Sequence, residues 1–137
     1  MSLGLYLHIP YCFSKCRYCD FYSAPGQRGV PRAYVDALLR ELSRFAPDAP
    51  LRPDTLYFGG GTPSLLDPAD AARLIAAAQP LPGAEITLEA NPETVTEDSL
   101  RAFREAGVNR ISFGVQSARD SQLKTLGRPH TAKQARA

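Results

Sequence analysis

Leu3-Gly4-Leu5-Tyr6-Leu7-His8-Ile9-Pro10-Tyr11-Cys12-Phe13-Ser14-Lys15-Cys16-Arg17-Tyr18-Cys19 is an apolar run, a proline stop and a cysteine cluster in immediate succession. The partial alternation over residues 3–9, ended by Pro10, predicts a strand. The spacing that follows is Cys12-x3-Cys16-x2-Cys19, and these are the chain's 3 cysteines. An odd, clustered set is no disulfide framework; it reads as a ligand set in a reducing cytoplasm. Thiolate is the soft donor that both iron–sulfur clusters and zinc accept. Three thiolates suit three corners of a cuboidal cluster and leave one iron open to a substrate. A Cys3His zinc site that recruits His8 competes for the same cysteines, although His8 stands on the strand. Tyr18, between two of the ligands, is expected to shield the site from water.

Outward from that stretch, strand and helix signals alternate. Residues 10–30, with Pro25-Gly26 and Gly29, read as a long loop, and long loops in compact domains are usually functional. Pro31 suits a first helical turn, and Val35, Leu38, Leu39, Leu42 and Phe45 share one face of a helix over 31–46. Thr55–Phe58 is a second strand, closed by Gly59-Gly60-Gly61. Asp67-Pro68 caps an alanine-rich helix over 67–79. Glu85–Ala90 is a third strand, with Glu85, Thr87 and Glu89 opposite Ile86, Leu88 and Ala90. Thr96 caps a helix over 97–106 that ends at Gly107, and Arg110–Val115 is a fourth strand. A short helix over 118–126 and a helix start at Thr131 follow. The alternation predicts an α/β fold with a parallel sheet of βα units. Ligands in such folds bind at the C-terminal strand ends. The cysteine loop, Gly59–Ser64, Glu89–Pro92 and Gln116-Ser117 are therefore expected to share one rim.

The chain has 137 residues, 44% hydrophobic and 22% charged, which suits one domain with a real core. No apolar run reaches the ~18 residues of a membrane span. The first residues show no positive segment before their apolar stretch, so no secretory signal is expected and the cytoplasm is. The net charge of +2 and the lack of basic runs give no sign of a nucleic-acid partner.

Cys12–Cys19 resembles the signature of the radical S-adenosylmethionine (SAM) superfamily. Leu5–Cys12, Tyr57–Ser64, Leu88–Pro92 and Gly114–Ser117 are similar to segments of the oxygen-independent coproporphyrinogen III oxidase-like group. The likeness runs from about Leu5 to His130. Those oxidases carry a further cysteine two positions after the third. Here Asp20 and Phe21 follow Cys19, which resembles the haem chaperone branch instead. The resemblance implies the N-terminal portion of a partial TIM-like (β/α) barrel. Residues 1–137 would then be a radical SAM core incomplete on its C-terminal side, with the fourth strand at an open edge.

The same resemblance implies a [4Fe–4S] cluster on Cys12, Cys16 and Cys19, with SAM on the open iron. Gly59, Gly60, Gly61 and Thr62 would meet the amino group and methionyl part of SAM, since glycine lets a backbone come close to a ligand. Glu89, at the end of its strand, could accept from ribose hydroxyls or an ammonium; by the resemblance Gln116 would lie near the ribose, Arg128 would face the carboxylate, and Tyr6 would be a further contact. His130 is read as a surface or loop histidine without a role. The implied activity is that of a haem chaperone-like protein whose complete form cleaves SAM reductively. The alternatives are an oxygen-independent coproporphyrinogen III dehydrogenase and the zinc module, so enzymatic turnover stays open. Haem or a porphyrin, and an electron donor such as a flavodoxin or ferredoxin, are the implied partners.

Overall fold

The computed structural model describes residues 2–137. Four strands, β1 (Gly4–Ile9), β2 (Thr55–Gly60), β3 (Glu85–Ala90) and β4 (Arg110–Phe113), pair in the order β1-β2-β3-β4. All three pairings are parallel. The crossovers run through α1 (Arg32–Phe45), α2 (Pro68–Ala78) and α3 (Glu97–Ala106). Two short helices follow, α4 (Asp120–Leu126) and α5 (Ala132–Arg136). The α/β class and the parallel sheet expected from the sequence are both present.

Register sorts the side chains into rows. Leu7 pairs with Phe58, Phe58 with Leu88, and Leu88 with Ile111. This row and its neighbours Ile9, Leu56 and Ile86 face the helices and make the core with Val35, Leu42, Leu74 and Phe103. The opposite face carries Tyr6, Tyr57, Thr87 and Arg110 in one row. Polar or aromatic residues on that face leave it wetter, and Tyr6 is 55% exposed.

Local chemistry sets the helix ends. Asp67 accepts the Ala69 N–H at 2.8 Å, and Thr96 accepts that of Ser99 at 3.2 Å. Gly107, at φ 114°, closes α3 in a left-handed turn that a side chain would strain.

Two strand ends and the burial of one residue differ from the sequence expectation. β2 runs on through Gly59 and Gly60, because these residues pair with His8 and Ile9. β4 stops at Phe113, because the backbone then turns tightly: Val115 N donates to Phe113 O at 3.1 Å, and Gln116 takes φ 69°. Phe45, expected on the buried face of α1, is the last residue of that helix and stands 76% exposed. Leu42, one turn earlier, is its last buried residue.

Candidate functional site

The C-terminal ends of the four strands open into one cleft of about 260 Å³, near the small end of the ~300–1,000 Å³ typical of small-molecule sites. The cysteine loop forms one wall and the segments after β2, β3 and β4 form the rest. The loop is tied to itself by backbone bonds. Cys12 N donates to Ala24 O at 3.0 Å, Gln27 N to Cys12 O at 2.9 Å, and Cys19 N to Cys16 O at 3.1 Å. All three thiols are free; Cys12 is buried, and Cys16 and Cys19 are half-buried. They line the cleft together.

Arg128 reaches this wall from the far end of the chain. Its Nη1 donates to Cys16 Sγ at 3.0 Å. Its Nη2 donates to Asn91 Oδ1 at 2.8 Å and to the Gly114 carbonyl. Its Nε is buried without a partner.

Glu89 is held on two sides. Tyr57 Oη donates to Oε1 at 2.7 Å and the Gly60 N–H donates to Oε2 at 3.1 Å. Partial burial, then the hydrogen bond from its hydroxyl to Glu89, push the Tyr57 phenol above its usual range, so it stays a donor. An ionised carboxylate has about four acceptor positions, so two remain for a ligand in the cleft. Gln116 and Thr62 also line it. Thr62 is buried, and its Oγ1 accepts from Asn91 Nδ2 at 3.4 Å. Asn91 thus joins Thr62 to Arg128, a part that the sequence reading did not assign. Its signals were its place one residue after β3 and its membership of the Leu88–Pro92 segment.

Two of the expected ligand contacts, Tyr6 and Gly59, do not line the cleft. Tyr6 stacks on Tyr57, with ring centroids 6.0 Å apart, and its hydroxyl lies 3.1 Å from His8 Nδ1. A Cβ on Gly59 would come within 2.7 Å of the Tyr6 ring and 2.9 Å of Tyr57, so this glycine makes room for the tyrosine pair. Gly60, at φ 122°, would drive a Cβ to 2.7 Å from the His8 ring. Its lack of a side chain serves the packing of β2 on β1, besides opening the cleft.

Gly61 has the most direct tie to the thiols. A Cβ there would sit 2.9 Å from Cys12 Sγ and 2.6 Å from the Tyr11 carbonyl. Overlap of this kind costs about 1–3 kcal/mol. Gly61→Ala is therefore expected to retain its far-UV circular dichroism and lose iron several-fold after reconstitution with iron and sulfide. Iron content equal to that of the unaltered protein would show that the loop yields freely.

His8 does not complete a zinc set. Its Nδ1 faces Tyr6 and its Nε2 lies 3.2 Å from the Tyr22 carbonyl. Among the described residues, no three His, Cys, Asp or Glu side chains converge on one ion. A cuboidal cluster asks for something else, thiolates spread over separate irons. Tyr18, expected to cover the thiols, borders the cleft but is 49% exposed, so it covers them only in part. Partial burial raises its phenol above the usual range, with Arg128 opposing and Cys16 reinforcing the shift.

Residues 6–137 match the family model of the radical SAM superfamily. The chain belongs to that superfamily. The heme chaperone HemW of Escherichia coli (strain K12) is 47% identical over 140 residues, covering 98% of this chain and 37% of that protein. HemW of Haemophilus influenzae is 40% identical, over 98% of this chain and 38% of its own length. The mitochondrial radical S-adenosyl methionine domain-containing protein 1 of Bos taurus is 41% identical, over 96% and 31%. Among solved structures, coproporphyrinogen III oxidase (HemN) from Escherichia coli, described as a radical SAM enzyme, superposes with a TM-score of 0.86 at 31% identity. That match covers 98% of this chain and 32% of HemN. The chain thus spans roughly a third of the length of these relatives.

Radical SAM membership implies a [4Fe–4S] cluster and SAM. The residues present fit both. Three free thiols share one wall, and the Gly61 backbone lies against Cys12 where a side chain would not fit. The buried, partnerless Arg128 Nε is a donor awaiting an acceptor of the carboxylate kind.

Proposed function

We propose that this radical SAM chain holds a [4Fe–4S] cluster and SAM for a haem chaperone that works in the cytoplasm. The observation that carries this reading is the convergence of Cys12, Cys16, Cys19 and Arg128 on one cleft, with Asp20-Phe21 after the last cysteine. The three thiolates would hold the cluster. Arg128 would orient the SAM carboxylate, while Glu89 and Gln116 would accept and donate at its ribose or ammonium. Gly60, Gly61 and Thr62 would form the floor against the methionyl part. Tyr6 and Gly59 would act from outside the cleft, Tyr6 by stacking on Tyr57, which holds Glu89, and Gly59 by leaving room for that pair. When bound and reduced, the cluster supplies the electron that cleaves the sulfonium carbon–sulfur bond of SAM. A flavodoxin or ferredoxin is the class of donor that would deliver that electron. Haem or a porphyrin would be the partner molecule.

The close superposition on HemN supports a second reading, coproporphyrinogen III dehydrogenation. Phe21 argues against it, standing two positions after Cys19, where those oxidases carry a further cysteine. One set of measurements separates these readings: anaerobic reconstitution, a SAM-cleavage assay with dithionite, haem titration, and an assay for protoporphyrinogen. The proposed function expects a brown protein, methionine release and saturable haem binding without porphyrin turnover. Protoporphyrinogen formation would transfer the case to the dehydrogenase. A colourless protein that takes up zinc and no iron would overturn both.

A further inference from the structure

His130 is buried, with its side chain fully enclosed, and the role assigned to Arg128 does not account for it. Its Nδ1 lies 2.9 Å from Glu93 Oε2 and its Nε2 lies 3.1 Å from the Val115 carbonyl. Both ring nitrogens therefore face acceptors, one after β3 and one after β4.

These anchor points run beside those of Arg128. Asn91 and Gly114 accept from the Arg128 guanidinium. Glu93 is two residues beyond Asn91, Val115 is one beyond Gly114, and His130 is two beyond Arg128. The segment is secured again on its other side, where Arg17 N donates to Leu126 O at 3.2 Å. The Arg128 backbone itself donates to Leu123 O at 2.9 Å. Apart from Arg128 itself, His130 is the side chain beyond Gly127 that is seen to hydrogen-bond to the turns after β3 and β4 among the described residues.

We infer that His130 is a positioning residue: clasped by Glu93 and Val115, it aims Arg128 at Cys16 and at the cleft, and so sets the affinity of a carboxylate-bearing ligand there. The inference rests on the proposed function, in which that ligand is SAM. His130 touches neither the thiols nor the cleft, so its effect must pass through Arg128.

The test uses the reconstituted, dithionite-reduced protein, with iron content, far-UV circular dichroism and the electron paramagnetic resonance signal followed during SAM titration. His130→Ala is expected to keep its iron and its secondary structure, while the SAM concentration needed to shift the signal rises about tenfold, the effect of one misaligned charge-assisted contact. In an Arg128→Ala background, His130→Ala should add nothing. His130→Gln, which keeps a donor toward Val115, should recover part of the affinity. Unchanged SAM affinity in His130→Ala, or a full additive loss in the Arg128→Ala background, would overturn the inference. Should His130→Ala lose its fold, Glu93→Gln decides: weaker SAM binding at normal iron content supports the clasp, and unaltered binding refutes it. Failure of SAM to perturb the unaltered protein would instead bring down the proposed function, a different result from failure of the variants.

Discussion

Replacement of Cys12, Cys16 or Cys19 by alanine, one at a time, is expected to abolish the cluster. The chain has 3 cysteines, all in one loop and all free, so no spare thiol can stand in for a missing one. Each thiolate would hold a separate iron, and loss of one leaves two protein ligands for a cluster that already has an open corner. Cys16 and Cys19 are half-buried, so their side chains can be trimmed without opening the core. Cys12 is buried beneath Gly61, and Cys12→Ser, which keeps the volume, is its better control. The readouts are iron and sulfide per chain and the visible absorbance after anaerobic reconstitution. Circular dichroism should be preserved. Full iron retention in any one variant would remove that cysteine from the ligand set.

The largest expected loss of stability is at Phe58. It is 0% exposed in the second strand of the sheet, and register places it between Leu7 and Leu88. Phe58→Ala removes most of an aromatic ring from a closed core, at a cost of about 3–5 kcal/mol. Typical domains hold only about 5–15 kcal/mol in total, so a large share of the stability is expected to be lost. The midpoint of urea denaturation measures this, with Phe45→Ala as the comparison. Phe45 is 76% exposed and its loss should lie within about 0.5 kcal/mol. Equal shifts for the two variants would mean that the sheet's helix-facing row is not the core.

What the sequence made legible was whatever local pattern encodes. Asp67-Pro68 and Thr96 announce helix starts because capping needs only the next three residues. The alternation of Glu85, Thr87 and Glu89 against Ile86, Leu88 and Ala90 placed Glu89 on the correct face. The three thiols and the four rim segments were likewise visible, since a parallel sheet brings its C-terminal ends together by construction. Residues whose part depends on a distant neighbour were less legible. Gly59 looks like its glycine neighbours until Tyr6 is seen against it. His130 lies in a polar stretch without periodicity, and only the turns at Glu93 and Val115 bury it. Phe45 obeys the helical spacing but is the final residue of its helix.

The bond from Arg128 to Cys16 spans 112 residues of chain. Contacts so distant in sequence are made late, after the local turns and adjacent strand pairs have formed. On a ribosome adding about 5–20 residues per second, the cysteine loop would emerge roughly 6–20 s before the arginine that pairs with Cys16. For that interval its sulfurs would be open to oxidants, and equally to a metal-delivery factor. A factor acting on the nascent chain would meet Cys16 without its guanidinium partner, whereas one acting on the finished protein would meet it beside Arg128. The timing of iron insertion relative to synthesis would thus decide whether maturation needs help.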